Sequence, residues 1–485
     1  MTLKPYALFD DILSGVGVAA RAAEDVVTRR TMRLGVTGLS RSGKTVFITA
    51  LVNNLLSGAK LPVLQAAAEG RITRVRLEPQ PDDVVPRFPY EEQLARMSGP
   101  ERVWPQSTRQ ISQLRVTFEF ARAKSIFGGP SSFTLDIVDY PGEWLLDLGL
   151  LDKTYSEWCA EAIALAEQPQ RRIIAQEWLK TVRALDASGV ASEGNARWAA
   201  EVFTAYLRRA REDVYALSTL PPGRFLMPGD LEGSPALTFA PLRVPAGAEP
   251  KQGSLGAMMA RRYDSYRNRV VRPFFAKHFS RLDRQVILID VLSALNSGPA
   301  AVRDLEHAMA SVLQTFRVGR SSLFSAIFRP RADRIMFAAT KADRLHHSSH
   351  DRLEDIVRLL TARAIAKAQG LGAEIDVVAL AAVRATREAE IRRGDEILRA
   401  IIGVPEKGET LGGQVFDGVA EVATFPGQLP ERPEMALNGE GLGLSEAAND
   451  YRFLRFRPPL TPAGASAPSI RLDRVLQFLL GDRLA

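Results

Sequence analysis

The chain has 485 residues, 46% hydrophobic and 25% charged, so it can bury a large core and is longer than one ordinary domain. A net charge of +7 permits contact with phosphate-rich ligands, but we do not expect nucleic acid to be the partner. The single cysteine, Cys159, excludes an intrachain disulfide framework and fits a reducing compartment. No apolar run reaches about 18 residues, the length that spans a bilayer, so we expect a cytoplasmic protein.

Residues 1–30 contain an amphipathic pattern. Apolar side chains such as Ile12 and Val16 recur at helical spacing among charged ones. Most helices of this kind pack on their own domain. The alternative is binding to a membrane surface, which would hold the protein peripherally at the inner membrane face.

Residues 38–45 read GLSRSGKT and have the features of a phosphate-binding loop. A strand pattern precedes them and a helical pattern follows, the context that separates a true phosphate loop from a chance match. Backbone N–H groups would point at the β-phosphate, Lys44 would bridge the β- and γ-phosphates, and the Thr45 hydroxyl would hold Mg²⁺. The residues expected to contact the nucleotide in this loop are Gly38, Ser40, Arg41, Ser42, Gly43, Lys44, Thr45 and Val46.

A second motif, DYPG, ends the apolar strand pattern of residues 133–139. Asp139 can reach Mg²⁺ through water, and the Gly142 N–H can sense a γ-phosphate. Glu143 follows, at a position where a carboxylate could orient the attacking water or accept its proton. The alternative is a surface glutamate without a role.

A third motif, TKAD, follows the strand pattern of residues 334–339 and contains Thr340, Lys341 and Asp343. An Asp in this position accepts hydrogen bonds from the N1 and N2 donors of guanine. Adenine lacks both donors and would leave the carboxylate unpaired. After the next strand pattern, the backbone of Ala382 and Val383 is expected to hold the base.

The three motifs, in this order, resemble the G-domain of the translation-factor class of GTPases. The resemblance implies an α/β fold with a mostly parallel sheet flanked by helices, Mg²⁺ as cofactor, and GTP and GDP as substrate and product. It also implies a switch-I threonine that binds Mg²⁺ in the triphosphate state. Thr108 is our candidate, with Ser107 nearly as good, and both could instead only begin a strand or cap a turn.

Changes of pattern along the chain predict the domain organisation. A helical insertion is expected to interrupt the G-domain, and a Gly- and Pro-rich β module to precede the last helix. We expect an N-terminal amphipathic helix at 1–30, the first part of the G-domain at 31–150 with a switch-I-type insertion at 60–115, a helical insertion at 151–283, the second part of the G-domain at 284–403, a β-rich insertion at 404–467 and a closing helix at 468–485.

The whole arrangement resembles the YcjX-like family of bacterial nucleoside triphosphatases. The resemblance extends over nearly the full chain and rests on residues 38–45, 135–144 (LDIVDYPGEW), 272–298 and 337–343 (FAATKAD). It implies a cytoplasmic P-loop protein linked to envelope stress and often described as an ATPase. The TKAD motif favours guanine instead.

Two functions from different classes follow. The first is a regulatory GTPase, whose nucleotide state orders Thr108 and residues 139–144 and whose insertion engages an inner-membrane or stress-response protein. The second is a weakly hydrolysing scaffold that nucleotide binding stabilises. An ATPase of the same fold is a third option.

Arg41 is an unusual residue for such a loop. The loops of guanylate-binding proteins and atlastins, Gly-x-x-Arg-x-Gly-Lys-Ser, resemble residues 38–45, and there the arginine is a catalytic finger supplied in cis when two G-domains meet. The resemblance implies the same role for Arg41 and a nucleotide-dependent homodimer. The alternative is a solvent-facing arginine that pairs with a surface carboxylate.

Overall fold

A computed structural model describes the chain from residue 31 to residue 485. The ranges and positions outside the description are 1–30, 40, 81, 107, 109, 124–129, 213, 246, 248–249, 315–331, 371, 395, 439–452 and 463. The predicted amphipathic helix at 1–30 therefore lies outside the described residues, as do Ser40 and Ser107. None of the described helices is long and apolar enough to cross a membrane.

A seven-stranded sheet forms the centre of the molecule, in the order β2-β3-β4-β1-β5-β6-β7. Its strands are β1 (Thr31–Gly38), β2 (Ile72–Leu77), β3 (Ser112–Ala121), β4 (Pro130–Asp139), β5 (Arg284–Ile289), β6 (Arg334–Ala339) and β7 (Glu374–Ala379). Strands β4, β1, β5, β6 and β7 are parallel to one another, whereas β2 and β3 add an antiparallel edge. The predicted α/β fold with a mostly parallel sheet is confirmed.

Helices cover both faces of the sheet, which explains why residues 286–289 of β5 are apolar on both faces. Successive side chains of β5 point to opposite faces: Val286 and Leu288 belong to one core cluster, Ile287 and Ile289 to the other. The helices are α1 (Lys44–Leu56), α2 (Gln65–Ala68), α3 (Tyr90–Ser98), α4 (Glu143–Leu146), α5 (Tyr155–Ala166), α6 (Pro169–Arg172), α7 (Gln176–Ala184), α8 (Glu193–Ala210), α9 (Gly223–Leu226), α10 (Leu255–Tyr266), α11 (Arg272–Lys277), α12 (Val291–Asn296), α13 (Pro299–Gln314), α14 (His350–Leu360), α15 (Ala362–Gly370), α16 (Pro433–Asn438) and α17 (Leu472–Leu480).

Helices α5 to α11 lie within the predicted helical insertion. Their core is aromatic: Trp158 stacks on Tyr263 with ring centroids 5.1 Å apart, and Trp178 stacks on Tyr206 at 5.3 Å. This core is continuous with the face of the sheet that carries Ile287. The insertion therefore packs on the G-domain through a shared core.

The β module near the C-terminus is a separate antiparallel sheet in the order β12-β9-β8. Its strands are β8 (Arg387–Arg393), β9 (Glu396–Gly403) and β12 (Val422–Thr424), and a small hairpin pairs β10 (Thr410–Leu411) with β11 (Gln414–Val415). The sheet begins at Arg387, ahead of residue 404, where the sequence pattern suggested the module would start.

Candidate nucleotide-binding site

The phosphate loop joins β1 to α1 at the edge of the sheet where the parallel strands end. Gly43 has φ 86°, a left-handed conformation that favours glycine, directly before the first turn of α1. The buried ammonium of Lys44 donates a hydrogen bond to the Gly38 carbonyl at 3.0 Å. Burial lowers the pKa of Lys44, and the charges of Glu143 and Asp139 oppose that shift.

Ser42 and Val46, two further residues of the predicted loop, line a cavity together with Lys44. The Ser42 N–H donates to the Leu39 carbonyl at 3.2 Å, whereas its buried hydroxyl has no hydrogen-bond partner among the residues that the structure describes. A buried polar atom of this kind points to a ligand that is expected to satisfy it. Val46 lies in the first turn of α1 and is half-buried at the cavity wall.

The loop after β4 is in close contact with the phosphate loop. A Cβ atom on Gly142 would lie 1.8 Å from the Gly38 carbonyl oxygen and 2.9 Å from Lys44 Nζ. Any residue other than glycine would therefore push the two loops apart. The backbone of Gly142 and the ammonium of Lys44 therefore border the same small space.

Three predicted metal ligands converge beside the phosphate loop. The Thr108 hydroxyl donates to Asp139 Oδ2 at 2.7 Å and lies 3.3 Å from Thr45 Oγ1. The Thr45 hydroxyl also lies 3.3 Å from the Gln106 carbonyl oxygen, to which it donates. Thr108 thus belongs to the site, although its predicted role as a switch-I ligand stays a prediction.

The environment of Asp139 suits a bound cation. The side chain is 1% exposed, and burial raises its pKa to about 6, against the opposing charge of Lys44 and the hydrogen bond from Thr108. Within the described part of the chain, nothing donates a hydrogen bond to Asp139 Oδ1. Two hydroxyl groups and a carboxylate are oxygen ligands of the kind that Mg²⁺ prefers, so these residues fit the implied metal.

Asp343 lines the same cavity and is oriented by the chain that follows β7. Its Oδ2 accepts a hydrogen bond from the Ala385 N–H at 2.9 Å, and the Thr386 hydroxyl donates to its carbonyl oxygen. Burial raises the pKa of Asp343, and the bond from Ala385 opposes that shift. Ala382 and Val383, which lead into this segment, line the cavity too.

The other residues of the TKAD motif connect β6 to β5. The Thr340 N–H donates to the Ile289 carbonyl at 2.9 Å. Lys341 has φ 64°, and its ammonium forms an ion pair with Asp290. Asp290 in turn caps α12, because its Oδ1 accepts the Ser293 N–H at 3.2 Å. This pairing fixes the motif at the end of β5, the strand next to β1.

Histidines support the loop that carries Asp343. His350 Nε2 lies 2.9 Å from the Ala342 carbonyl oxygen, and His347 Nδ1 lies 2.7 Å from Glu388 Oε2 on β8. The ring nitrogen of His346 lies 3.8 Å from the same carboxylate. These contacts connect the loop to the β module.

Lys44, Thr108 and Asp343 line one cavity, whose volume of about 600 Å³ lies within the range of small-molecule sites. The helical insertion contributes Arg211 to one wall, and the β module contributes Arg455 to another. Arg455 Nε donates to Glu409 Oε1 at 2.7 Å, and the Trp104 indole donates to the Phe456 carbonyl at 2.7 Å. Both additions to the G-domain therefore reach the site.

Glu143 is buried, with 4% of its surface exposed, and its Oε1 lies 3.1 Å from Arg211 Nη2. Glu143 is therefore not a surface residue. Its predicted function in orienting water stays a prediction.

Arg41 lines the cavity with an exposed side chain. Its φ of 63° is left-handed, a conformation that costs a non-glycine residue about 1–2 kcal/mol and that occurs preferentially at functional sites. Partial burial lowers its pKa, as do Arg211 and Arg455, while Asp290 and Glu143 oppose the shift. The role of Arg41 as a catalytic finger stays a prediction, as does the alternative of an ion pair with a surface carboxylate.

The sequence did not identify six charged residues that line this cavity: Arg211, Asp290, Arg344, Glu406, Glu409 and Arg455. Asp290 follows an apolar strand just as Asp139 does, so its position at a strand end was a usable signal. Arg211 ends a helix with other arginines around it, and Arg455 alternates with apolar residues. Nothing local distinguishes either of them, because only the tertiary fold brings them to the cavity.

Comparison with known proteins identifies the family. The model of the YcjX-like family, DUF463, matches residues 32–484. The chain belongs to the YcjX-like family. A protein of Escherichia coli (strain K12) named Ras-like GTPase YcjX is 37% identical over 467 residues, which cover 94% of this chain and 96% of the relative. A protein of Shewanella oneidensis with the same name is 33% identical over 490 residues, covering 94% and 95%.

In this YcjX-like protein, Gly142→Ala should weaken nucleotide binding by at least about tenfold, because the added methyl group meets the Gly38 carbonyl. Gly370→Ala is the matched control, since a Cβ there has open space around it. Affinity for a fluorescent nucleotide measures the effect. Equal affinity of Gly142→Ala and the control would contradict the close contact.

The YcjX-like site should also bind Mg²⁺ more weakly as the pH falls through about 6, because the raised pKa of Asp139 lets a proton compete with the cation there. The carboxylate is ionised above this pH and protonated below it. Mg²⁺ titrations of the GDP-bound protein at several pH values measure the effect. Phosphate groups also titrate at a pH of about 6, so the deciding quantity is the slope relative to Asp139→Asn. Identical slopes would contradict the assignment.

Proposed function

We propose that the protein binds GTP with Mg²⁺ and hydrolyses its β–γ phosphoanhydride bond. One observation carries this: groups suited to a triphosphate, a divalent cation and guanine border a single cavity. Lys44 and Gly142 meet at its phosphate end, Thr108 bonds to Asp139 nearby, and Asp343 lines the same space. Two relatives named Ras-like GTPase support the proposal.

The phosphate loop and the N-terminus of α1 would hold the β-phosphate through backbone N–H groups. Lys44 would exchange its bond to Gly38 for oxygens of the β- and γ-phosphates. Thr45, Thr108 and Asp139 would hold Mg²⁺ directly or through water. The ion would supply positive charge that neutralises the phosphates and the leaving oxygen.

In hydrolysis, the oxygen of a water molecule bonds to the γ-phosphorus while the bond from that phosphorus to the bridging oxygen breaks. The electron pair of the broken bond stays on GDP. Glu143, next to the γ-phosphate sensor Gly142, would orient the water and accept its proton, which then passes to the released phosphate. Arg41 would contribute positive charge from the rim of the cavity.

Guanine would be selected by Asp343, whose carboxylate can accept both of the donors on its N1 and N2 edge. Adenine would leave a buried carboxylate without partners, which costs free energy. Thr340, Lys341, Ala382 and Val383 would shape the rest of the base site.

The wider role that we propose is a regulatory switch. The family resemblance adds a stress-linked process and a cytoplasmic location. The amphipathic pattern of residues 1–30 adds a partner at the inner membrane face. The resemblance of residues 38–45 to the loops of guanylate-binding proteins and atlastins adds a nucleotide-dependent homodimer. The position of the insertion and the β module on the cavity supports a switch, because a change of nucleotide would reach both.

The proposal predicts Mg²⁺-dependent release of phosphate from GTP at a higher kcat/KM than from ATP. Lys44→Ala should abolish release by removing the bridge between the β- and γ-phosphates. Steady-state phosphate assays with both nucleotides measure this. Equal kcat/KM for ATP and GTP would reject guanine selectivity, and tight GTP binding without turnover would instead support the nucleotide-stabilised scaffold.

Asp343→Asn should weaken GDP binding by about 10-fold or more and favour xanthine, because an amide donates to the xanthine C2 carbonyl where a carboxylate cannot. Asp355→Asn, an exposed position on α14, is the matched control. Competition calorimetry with GDP and xanthosine diphosphate measures the change. An unchanged preference in Asp343→Asn would show that guanine is read elsewhere.

A further inference from the structure

The helical insertion delivers a guanidinium group to the phosphate end of the cavity. Arg211 follows α8 directly, and its side chain is 17% exposed. Its Nη2 lies 3.1 Å from Oε1 of Glu143, the residue after the γ-phosphate sensor Gly142. Positive charge from Arg211 also lowers the pKa of Lys44. Both residues line the cavity, and a Cβ atom on Gly142, the residue before Glu143, would lie 2.9 Å from Lys44 Nζ. The lysine and this arginine therefore border the space that the phosphates would occupy.

The backbone around Arg211 is firmly held. The Arg211 N–H donates to the Leu207 carbonyl at 3.1 Å, in the last turn of α8, and the Leu217 N–H donates to the Ala210 carbonyl at 3.2 Å. Beyond this turn, the buried carboxylate of Asp304 accepts the Thr219 N–H at 3.0 Å and forms an ion pair with buried Arg171. A side chain on so well-anchored a turn meets its target with little loss of conformational entropy.

The insertion also packs tightly against the segment that carries Glu143. Asp147 accepts hydrogen bonds from the Tyr266 hydroxyl and the Gly223 N–H, both at 2.6 Å. A Cβ atom on Gly223 would lie only 1.9 Å from the Glu143 carbonyl oxygen. The Trp144 indole donates to a carbonyl of the insertion at 2.9 Å. Arg211 and Glu143 are thus fixed on surfaces that fit each other closely.

We propose that Arg211 is a catalytic residue, an arginine that the helical insertion supplies in cis to the γ-phosphate. This inference rests on the proposed GTP hydrolysis. Without triphosphate, Glu143 holds the guanidinium at the edge of the site. With triphosphate bound, Arg211 moves to the γ-phosphate and the bridging oxygen, where charge develops as the bond breaks, and Glu143 is released to orient the water.

The other arginines of the cavity are less suited to this role. Arg455 lies against two carboxylates, Glu409 at 2.7 Å and Glu406 at 3.6 Å, which offset its charge. Arg41 is exposed at the rim. Arg344, which also lines the cavity, directly follows Asp343 in the loop proposed to bind guanine rather than the phosphates. Arg211 is instead paired with the one carboxylate that the reaction itself would use, so a single exchange of partners would activate both groups.

The test compares Arg211→Ala, Arg41→Ala and the exposed control Arg209→Ala. We expect Arg211→Ala to lower kcat for GTP by at least about 100-fold, since arginine fingers contribute roughly 10³ to 10⁵ in rate. GTP affinity and the thermal midpoint should stay near wild type, and Arg209→Ala should hydrolyse GTP normally. Arg211→Ala should also lose the aluminium fluoride complex of the GDP-bound protein, and added guanidinium ion should restore part of its turnover.

Each other outcome overturns the inference in a recognisable way. Wild-type kcat in Arg211→Ala rejects it and leaves GTP hydrolysis standing. The same holds if Arg41→Ala alone loses turnover. A fall in GTP affinity or thermal midpoint that matches the fall in kcat, without rescue by guanidinium, would assign Arg211 a structural role. An absence of GTP turnover in the wild-type protein would overturn the proposed function and this inference together.

Discussion

The close contact of Gly142 with the phosphate loop is the constraint on which the site depends. With no side chain at this position, the loop after β4 reaches the Gly38 carbonyl and the Lys44 ammonium. The same approach brings Asp139, three residues earlier in the chain, to the Thr108 hydroxyl, which in turn lies next to the Thr45 hydroxyl. Burying so much polarity is unfavourable on its own. The raised pKa of Asp139 and the unsatisfied hydroxyl of Ser42 are the visible signs of that cost, which a phosphate and a cation would relieve.

Two additions to the G-domain share this site from different sides. The helical insertion meets it through the ion pair of Arg211 with Glu143. The β module meets the switch-I-type segment, where the Trp104 indole bonds to the Phe456 carbonyl and Arg102 bonds to the Pro458 carbonyl at 3.3 Å. A ligand that moves Glu143 or the segment around Trp104 must therefore also change a contact with one of these additions. This gives a nucleotide two physical routes to surfaces far from the phosphates.

The sequence was sufficient to predict the fold class, the family and the three loops at the edge of the sheet. Each loop follows an apolar strand and contains glycine, lysine or aspartate at the spacing of a known nucleotide-binding motif. The sequence was insufficient for Arg211 and Asp290, whose importance arises from long-range contacts with Glu143 and Lys341. The strand pair that begins at Arg387 was also missed, since its alternation of charged and apolar residues resembles that of an exposed helix over so short a length.

The base end of the cavity depends on the last residues of the chain. Ala381 exchanges backbone hydrogen bonds with Ile470, at 3.2 and 2.8 Å, directly before α17. At the other end of that helix, Asp482 pairs with the buried guanidinium of Arg284 at the start of β5. A backbone bridge at one end and an ion pair at the other hold α17 against the sheet, so the C-terminal helix and the loop next to Asp343 are directly connected. The fold thus closes around the site with its first described strand supplying the phosphate loop and its last helix supporting the base loop.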